Sequence, residues 1–260
     1  MDYRVTTRDD GSVLDPFAVK SLVIQTSGDP GGPIALIGYA GLAELWGRMP
    51  MGRWLRETLR GECQSLFDLM DHLLNQLNRK VASFKQVLVI TVLMISDSGN
   101  ERYFGGFSNT QDRVTAQPKF TYGVTRIDTP WLFANGSACD AAATPQYTDM
   151  LKAHVADPNH SAADHMGLLA KINRDVAQAD PNGPVSPYCY VTCVSSDTDW
   201  KPTSKVFSEP GETQPPFSMP HIFCGIDLSY QAEQLVRHMQ NGIHPTMDED
   251  QLRRHVKRRP

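Results

Sequence analysis

The segment VLVITVLMI, residues 87–95, is a near-continuous apolar run of strand length. It is too short to cross a bilayer, and a strand so uniformly apolar is expected to be buried on both faces, with its sheet covered on each side. The residues just before it point the same way. Ser65 can cap a helix, Asp68 three positions later complements the helix dipole, and Leu66, Leu69, Met70, Leu73, Leu74, Leu77 and Val81 recur at the spacing of one apolar helix face. A helix of this kind running into a strand of this kind predicts helices layered on sheets.

The rest of the chain extends that pattern. Residues 18–25 (AVKSLVIQ) and 34–38 (IALIG) read as strands joined by the turn-rich SGDPGGP, a hairpin signature. The segment GLAELWGRMPMGRWLRETLRG, from Gly41, carries helical spacing that Pro50 must interrupt, which predicts one broken helix or two short ones. After the turn at Ser98, Gly99 and Asn100, residues 101–109 return as a paired strand, and residues 130–138 read as another. Helices are predicted over 146–155 and from Ser161, the latter presenting Met166, Leu169, Ile172, Asn173 and Val176 and stopped by residues 181–184. Residues 188–195 and 221–227 are strand-like, with a long Pro-rich loop between them over 202–220. A last helix follows from Ser229, with Ala232, Leu235, Val236 and Met239 on one face. Strands paired by hairpins and helices inserted in pairs do not give the strict alternation of a doubly wound or barrel fold, so a sheet-on-sheet core with helices outside fits better. No linker forces a split: residues 1–245 read as one domain and 246–260 as a basic tail.

Charge and cysteine content narrow the classes of partner. In 260 residues, 25 basic against 29 acidic side chains leave a formal net charge of −4, too weakly acidic to attract nucleic acid or anionic membrane over the whole surface. The run Arg253-Arg254-His255-Val256-Lys257-Arg258-Arg259 could touch nucleic acid, but terminal charge runs are mostly solvated tails. The 5 cysteines are odd in number and sit mostly in apolar or small-residue surroundings, and the N-terminus has no apolar leader segment, so a cytoplasmic chain without disulfides is expected.

Other motifs read blandly. His154, His160 and His165, with Asp157 and Asp164, lack the spacing of zinc sites, and no metal or cofactor is expected. Cys189 and Cys193 share a strand face but lie too far apart to bond. Ser96, Ser98 and Ser186 have no nucleophile-elbow context, and Gly28, Gly31 and Gly32 no following Gly-Lys-Ser/Thr for a phosphate loop.

Several short strings, in order, carry a family resemblance. Asp2-Tyr3-Arg4-Val5-Thr6 is similar to an Asp-x-Arg-x-Thr string; Lys20 in AVKSLVI resembles a lysine that begins the next strand; Tyr39-Ala40-Gly41-Leu42-Ala43 resembles an Ala-Gly-x-Ala turn. Asn135-Gly136-Ser137-Ala138 is similar to a Gly-Ser-Gly turn, and residues 180–186 resemble the Asp and Ser before the eighth strand. Together they resemble the N-terminal-nucleophile hydrolases of the proteasome β-subunit type. The resemblance implies an α/β (α+β) fold built as a four-layer α-β-β-α sandwich of two mainly antiparallel sheets flanked by helices. It also implies amide or peptide hydrolysis by the first residue of a mature chain, whose own α-amino group accepts the proton.

In that family the Asp-x-Arg string follows the nucleophile by about 15 residues, the length of a strand and turn. This sequence begins at that string, so the nucleophile is expected outside these residues. A reading frame that starts upstream, a shortened chain and a homologue without catalysis all remain open. By the resemblance, Lys20 lowers the pKa of the nucleophile's amine or hydroxyl, Asp2 and Arg4 hold Lys20, the Gly41 amide faces the developing oxyanion, and Ser137 steadies the terminal amine. Read from spacing alone, Lys20 is an ordinary strand lysine facing water, Asp2 and Arg4 a surface pair at a frayed end, and Gly41 a tight turn. The expected partners are a peptide or small amide substrate and further copies of the chain. The alternative function is a non-catalytic, homo-oligomeric subunit or interaction protein that uses the same sandwich.

Overall fold

In the computed structural model, the described residues are 5–6, 13–15, 20–29, 31–46, 49–61, 65–84, 86–109, 119–129, 133, 139–142, 144–181, 185–207, 220–230, 232 and 239–240. Two short strands, β1 (Val5–Thr6) and β2 (Val13–Asp15), pair antiparallel. Then come β3 (Ser21–Gln25), β4 (Ile34–Gly41), the two-residue pair β5 (Glu44–Leu45) and β6 (Met49–Pro50), α1 (Met51–Leu59) and α2 (Leu66–Gln76), the last running into a π turn over Leu77–Val81. The hairpin β7 (Leu88–Ser96) and β8 (Glu101–Ser108) leads to β9 (Thr121–Arg126). Helices α3 (Cys139–Ala142), α4 (Pro145–Ala156) and α5 (Ala162–Ala179) precede β10 (Cys189–Cys193), β11 (Thr203–Phe207), β12 (His221–Phe223) and β13 (Ile226–Asp227). Among the described residues no helix is long and apolar enough to cross a membrane.

A seven-stranded sheet in the order β13-β12-β3-β4-β7-β8-β9 dominates the architecture. Every pairing in it is antiparallel except β12 with β3, where His221, Ile222 and Phe223 run alongside Val23, Ile24 and Gln25. The fold is therefore mixed α+β around a large, mainly antiparallel sheet.

Periodicity explains how α1 and α2 cover one face of it. Met51, Trp54, Leu55, Thr58 and Leu59 on α1, and Leu66, Leu69, Met70 and Leu73 on α2, are buried at helical i, i+3, i+4, i+7 spacing. They close over Leu22 and Ile24 of β3, Ala35, Ile37 and Tyr39 of β4, Leu88, Ile90, Val92 and Met94 of β7, and Phe107 of β8, forming one core. Burying a side chain of this size contributes about 1.5–3 kcal/mol. Ser65 caps α2 as expected: its Oγ accepts the Asp68 N–H at 3.2 Å and donates to Asp68 Oδ2 at 2.6 Å. Because the orphan amide has no other side-chain cap, Ser65→Ala is expected to lower stability by about 1 kcal/mol in urea unfolding.

The strand expected to be buried on both faces alternates instead. Leu88, Ile90, Val92 and Met94 are buried under the helices, whereas Val89, Thr91 and Leu93 on the opposite side are half-buried. An antiparallel sheet tolerates this because only one of its faces must be fully covered. Away from the large sheet, α5 packs Met166 and Ala170 on Cys189 and Val191 of the β10–β11 pair. That unit reaches the sheet at the β7–β8 turn, where a Cβ on Gly99 would lie 2.0 Å from the Trp200 ring.

Several local readings are corrected. The described residues of 42–50 hold no α-helix; β4 runs on to Gly41, β5 and β6 follow with Trp46 in a 3-10 turn after β5, and α1 begins only after Pro50, whose fixed φ of −59° suits the position before a helix. The strand read over 221–227 is a hairpin, turned by Cys224 and Gly225 at φ of 47° and 81°, the left-handed pair that a two-residue type I′ turn requires. The long loop over 202–220 contains β11, paired along its length with β10. Leu169, assigned to the apolar face of α5, is exposed, and Ala170 and Ala177 are buried there instead. Met239 is likewise exposed. Apart from Phe133, the strand read over 130–138 lies outside the described residues.

Candidate functional site

The antiparallel register of β3 and β4 places Ser21 opposite Gly38, and the ladder continues one step further, with the Tyr39 N–H donating to the Lys20 carbonyl at 3.1 Å. Lys20, half-buried, therefore opens β3 at the same end of the sheet where Gly41 closes β4. Successive backbone N–H groups along a strand face opposite neighbours, so the Gly41 N–H is directed to the same side as that of Tyr39, the β3 side of β4.

The backbone at Gly41 is one that only glycine accommodates. Its φ is +98°, and a Cβ there would lie 2.0 Å from the Val87 carbonyl oxygen. The kink is fixed on its far side by the Leu42 N–H, which donates to the same Val87 oxygen at 2.8 Å, and by the Met51 N–H, which donates to Ala43 O at 2.8 Å. Between those two bonds the β5–β6 turn carries Trp46, half exposed and edge-on to Phe84 with centroids 5.1 Å apart. Among the described residues, Lys20 and the exposed Gly41 thus lie at the same end of the neighbouring strands β3 and β4, with the half-exposed Trp46 on the turn that follows. Sequence reasoning did not single out Trp46; nothing in its spacing sets it apart from a buried helix-face tryptophan.

Lys20 pairs with Tyr39, two residues before Gly41 on the neighbouring strand. Asp2, Arg4 and Ser137 lie outside the described residues, as does the basic tail 246–260. Ser186, from the string likened to the segment before the eighth strand, is buried; its Oγ accepts the Tyr188 N–H at 3.1 Å and its carbonyl accepts from Asn173 Nδ2 at 2.9 Å. Asp180 from the same string is exposed at the end of α5.

The other titratable candidates have structural settings. Cys189, Cys193 and Cys224 carry free thiols, and burial pushes that of Cys193 up, away from the thiolate needed for nucleophilic work. Ser96 Oγ donates to Glu101 Oε2 at 2.9 Å, and Ser98 sits at φ 49° in the β7–β8 turn. Among the described residues no group of three His, Cys, Asp or Glu side chains is placed to hold a metal ion. A further charged pair escaped sequence reading altogether: Arg56 of α1 and Asp227 of β13, 171 positions apart, form a forked pair at 3.0 and 3.3 Å. Compared with known protein families, curated proteins and solved structures, the chain finds no match in any of the three.

Proposed function

We propose that this chain carries the core of an N-terminal-nucleophile amide or peptide hydrolase of the proteasome β type, arranged as a four-layer α-β-β-α sandwich. What carries the reading is one observation: Lys20 and Gly41 lie at the same end of the neighbouring strands β3 and β4 of the large sheet. Such chemistry needs a cation near the attacking group and a preorganised N–H where negative charge develops on the carbonyl oxygen. Lys20 supplies the cation, favouring the deprotonated nucleophile and a neutral amine base. Gly41 supplies the N–H, and its lack of a side chain lets the substrate carbonyl approach the backbone closely. By the resemblance, the nucleophile of an active member would sit on a strand added to the same end of the sheet, with Asp2 and Arg4 holding Lys20 and Ser137 steadying the terminal amine.

The test is expression of the coding sequence with its upstream extension, followed by assay on a set of peptide and small-amide substrates. Hydrolysis should depend on a Thr, Ser or Cys exposed at the mature terminus, and Lys20→Ala should lower kcat/KM by about 100-fold or more with little change in unfolding midpoint. An upstream frame with no such residue overturns the hydrolase. A stable oligomer that hydrolyses nothing, with Lys20→Ala altering only stability, would leave the sandwich in a non-catalytic assembly role.

A further inference from the structure

Helices α4 and α5 meet around a cluster of imidazoles that the proposed hydrolase does not use. The His154 ring, near the end of α4, stacks on His160 with centroids 3.6 Å apart and planes 18° apart. His165, in the first turn of α5, stands edge-on to His154 at 5.0 Å and lies 6.3 Å from His160. His160 Nδ1 is 2.9 Å from the His154 carbonyl oxygen and donates to it. Among the described residues, His154 Nε2 and His165 Nδ1 are buried without a hydrogen-bond partner. Two nearly parallel stacked rings point their nitrogens side by side, not at one point about 2 Å from each, so the stack is a poor frame for a metal. Its chemistry is that of protons.

The surrounding charges can accommodate one proton better than two. Asp157 accepts from the Asn159 N–H and Nδ2 at 2.9 and 2.8 Å, Asp164 is held by Ser161 in a capping box, and Asp197 accepts the Ala162 N–H at 3.3 Å. α3, also packed on α5, adds Asp140, while β10 brings Cys189, Tyr190 and Cys193; Asp149 and Lys152 lie on α4 itself. The carboxylates of Asp157, Asp164 and Asp197 are already engaged, and a second proton in the cluster sets like charges within one stack. His165 feels this directly. Burial holds it below the usual imidazole range, His154 and His160 push it further down, and Asp164 and Asp197 pull it back only in part.

Among the described residues, α4 has few other anchors. None of its residues is fully buried, and Thr144 gives it no side-chain cap. An element with so few buried apolar contacts belongs to the low-stability end of a fold, where one cluster can decide whether it stays docked.

We propose that His154, His160 and His165 form an acid-sensitive latch, which holds α4 on α5 while the imidazoles are neutral and releases it when the cluster takes up more than one proton. His165 takes up a proton less readily in the docked state than when released. Docking is therefore strongest above the ordinary imidazole range, around pH 6.5, and is lost as pH falls below it. His221, also held down by burial, pulls the same way, but it sits on β12 in the large sheet, so its protonation is read elsewhere in the chain.

Hydrogen exchange followed segment by segment on the full chain separates the two. Between about pH 7.5 and about pH 5, after correction for intrinsic exchange, the amides of α4 are expected to lose protection by about tenfold or more while those of β4 and β7 keep theirs. His154→Phe keeps a stacking ring without a titrating nitrogen and should remove most of that acid response. Should that variant fail to fold, titration of the three imidazoles by NMR in the unaltered chain still decides, and coupled titrations that coincide with α4 release are expected. Acid loss of protection spread equally over α4 and β7, or an unchanged acid response in His154→Phe, would overturn the latch.

Discussion

Asp227→Ala is expected to cost about 3–5 kcal/mol of folding stability, the penalty for breaking a buried ion pair from one side only. Asp227 Oδ2 and Oδ1 accept from Arg56 Nε and Nη2, and Oδ1 also accepts the Tyr230 N–H at 3.0 Å, capping the helical turn that starts at residue 228. The Asp227 and Arg56 side chains are 4 and 17% exposed, so removing the carboxylate takes its charge from a partly buried guanidinium. It also loosens the seam between α1 and the last hairpin, where the Gly61 N–H donates to Gly225 O at 2.7 Å and Arg60 lies over the Tyr230 ring. Urea unfolding should show the loss as a lower midpoint. The double variant Arg56→Met with Asp227→Leu should recover much of it, because burying neither charge avoids desolvating both. A loss below about 1 kcal/mol for Asp227→Ala would mean that the pair is solvated in solution.

Gly41→Ala is expected to destabilise by about 3 kcal/mol or more, through two independent faults. A side chain at φ +98° is strained, and the new Cβ would sit 2.0 Å from the Val87 oxygen, so either the end of β4 or the start of β7 must move. The second fault matters because that oxygen already accepts the Leu42 N–H, and shifting it disturbs the end of the sheet where Lys20 lies. Gly123→Ala on β9 is the control. A Cβ there meets nothing within 4 Å, and its unfolding midpoint should change little. Equal effects from the two substitutions would contradict the geometry at Gly41.

The segments that sequence reasoning placed well are those whose apolar residues follow one period without interruption. α2 and α5 have buried positions at helical spacing behind serine caps, and β7 is an apolar run bounded by turns, so local pattern and tertiary packing agree. Strands β9 and β11 escaped because TYGVTR and TSKVF contribute few apolar residues, β9 lies at the sheet edge, and both hold their place through backbone pairing with β8 and β10. Residues 42–50 misled because a stretch with helical spacing follows a glycine whose positive φ turns the chain before any helix can begin. The candidate site was half readable. Lys20 and Gly41 announce themselves by their neighbours, whereas the Arg56–Asp227 pair joins residues too distant in sequence for any local pattern to connect.

The parallel seat of β12 beside β3 has a consequence for how the protein is made. β3 and β4 can zip together within about 1–10 μs of leaving the ribosome, but Thr26 and its neighbour Cys224 are separated by 198 positions. At cellular rates of synthesis that interval lasts about 10–40 s. Throughout it the flank of β3 that β12 will occupy, with Val23 and Ile24 in its middle, lacks its native neighbour in the nascent chain, which makes it a template for the wrong strand.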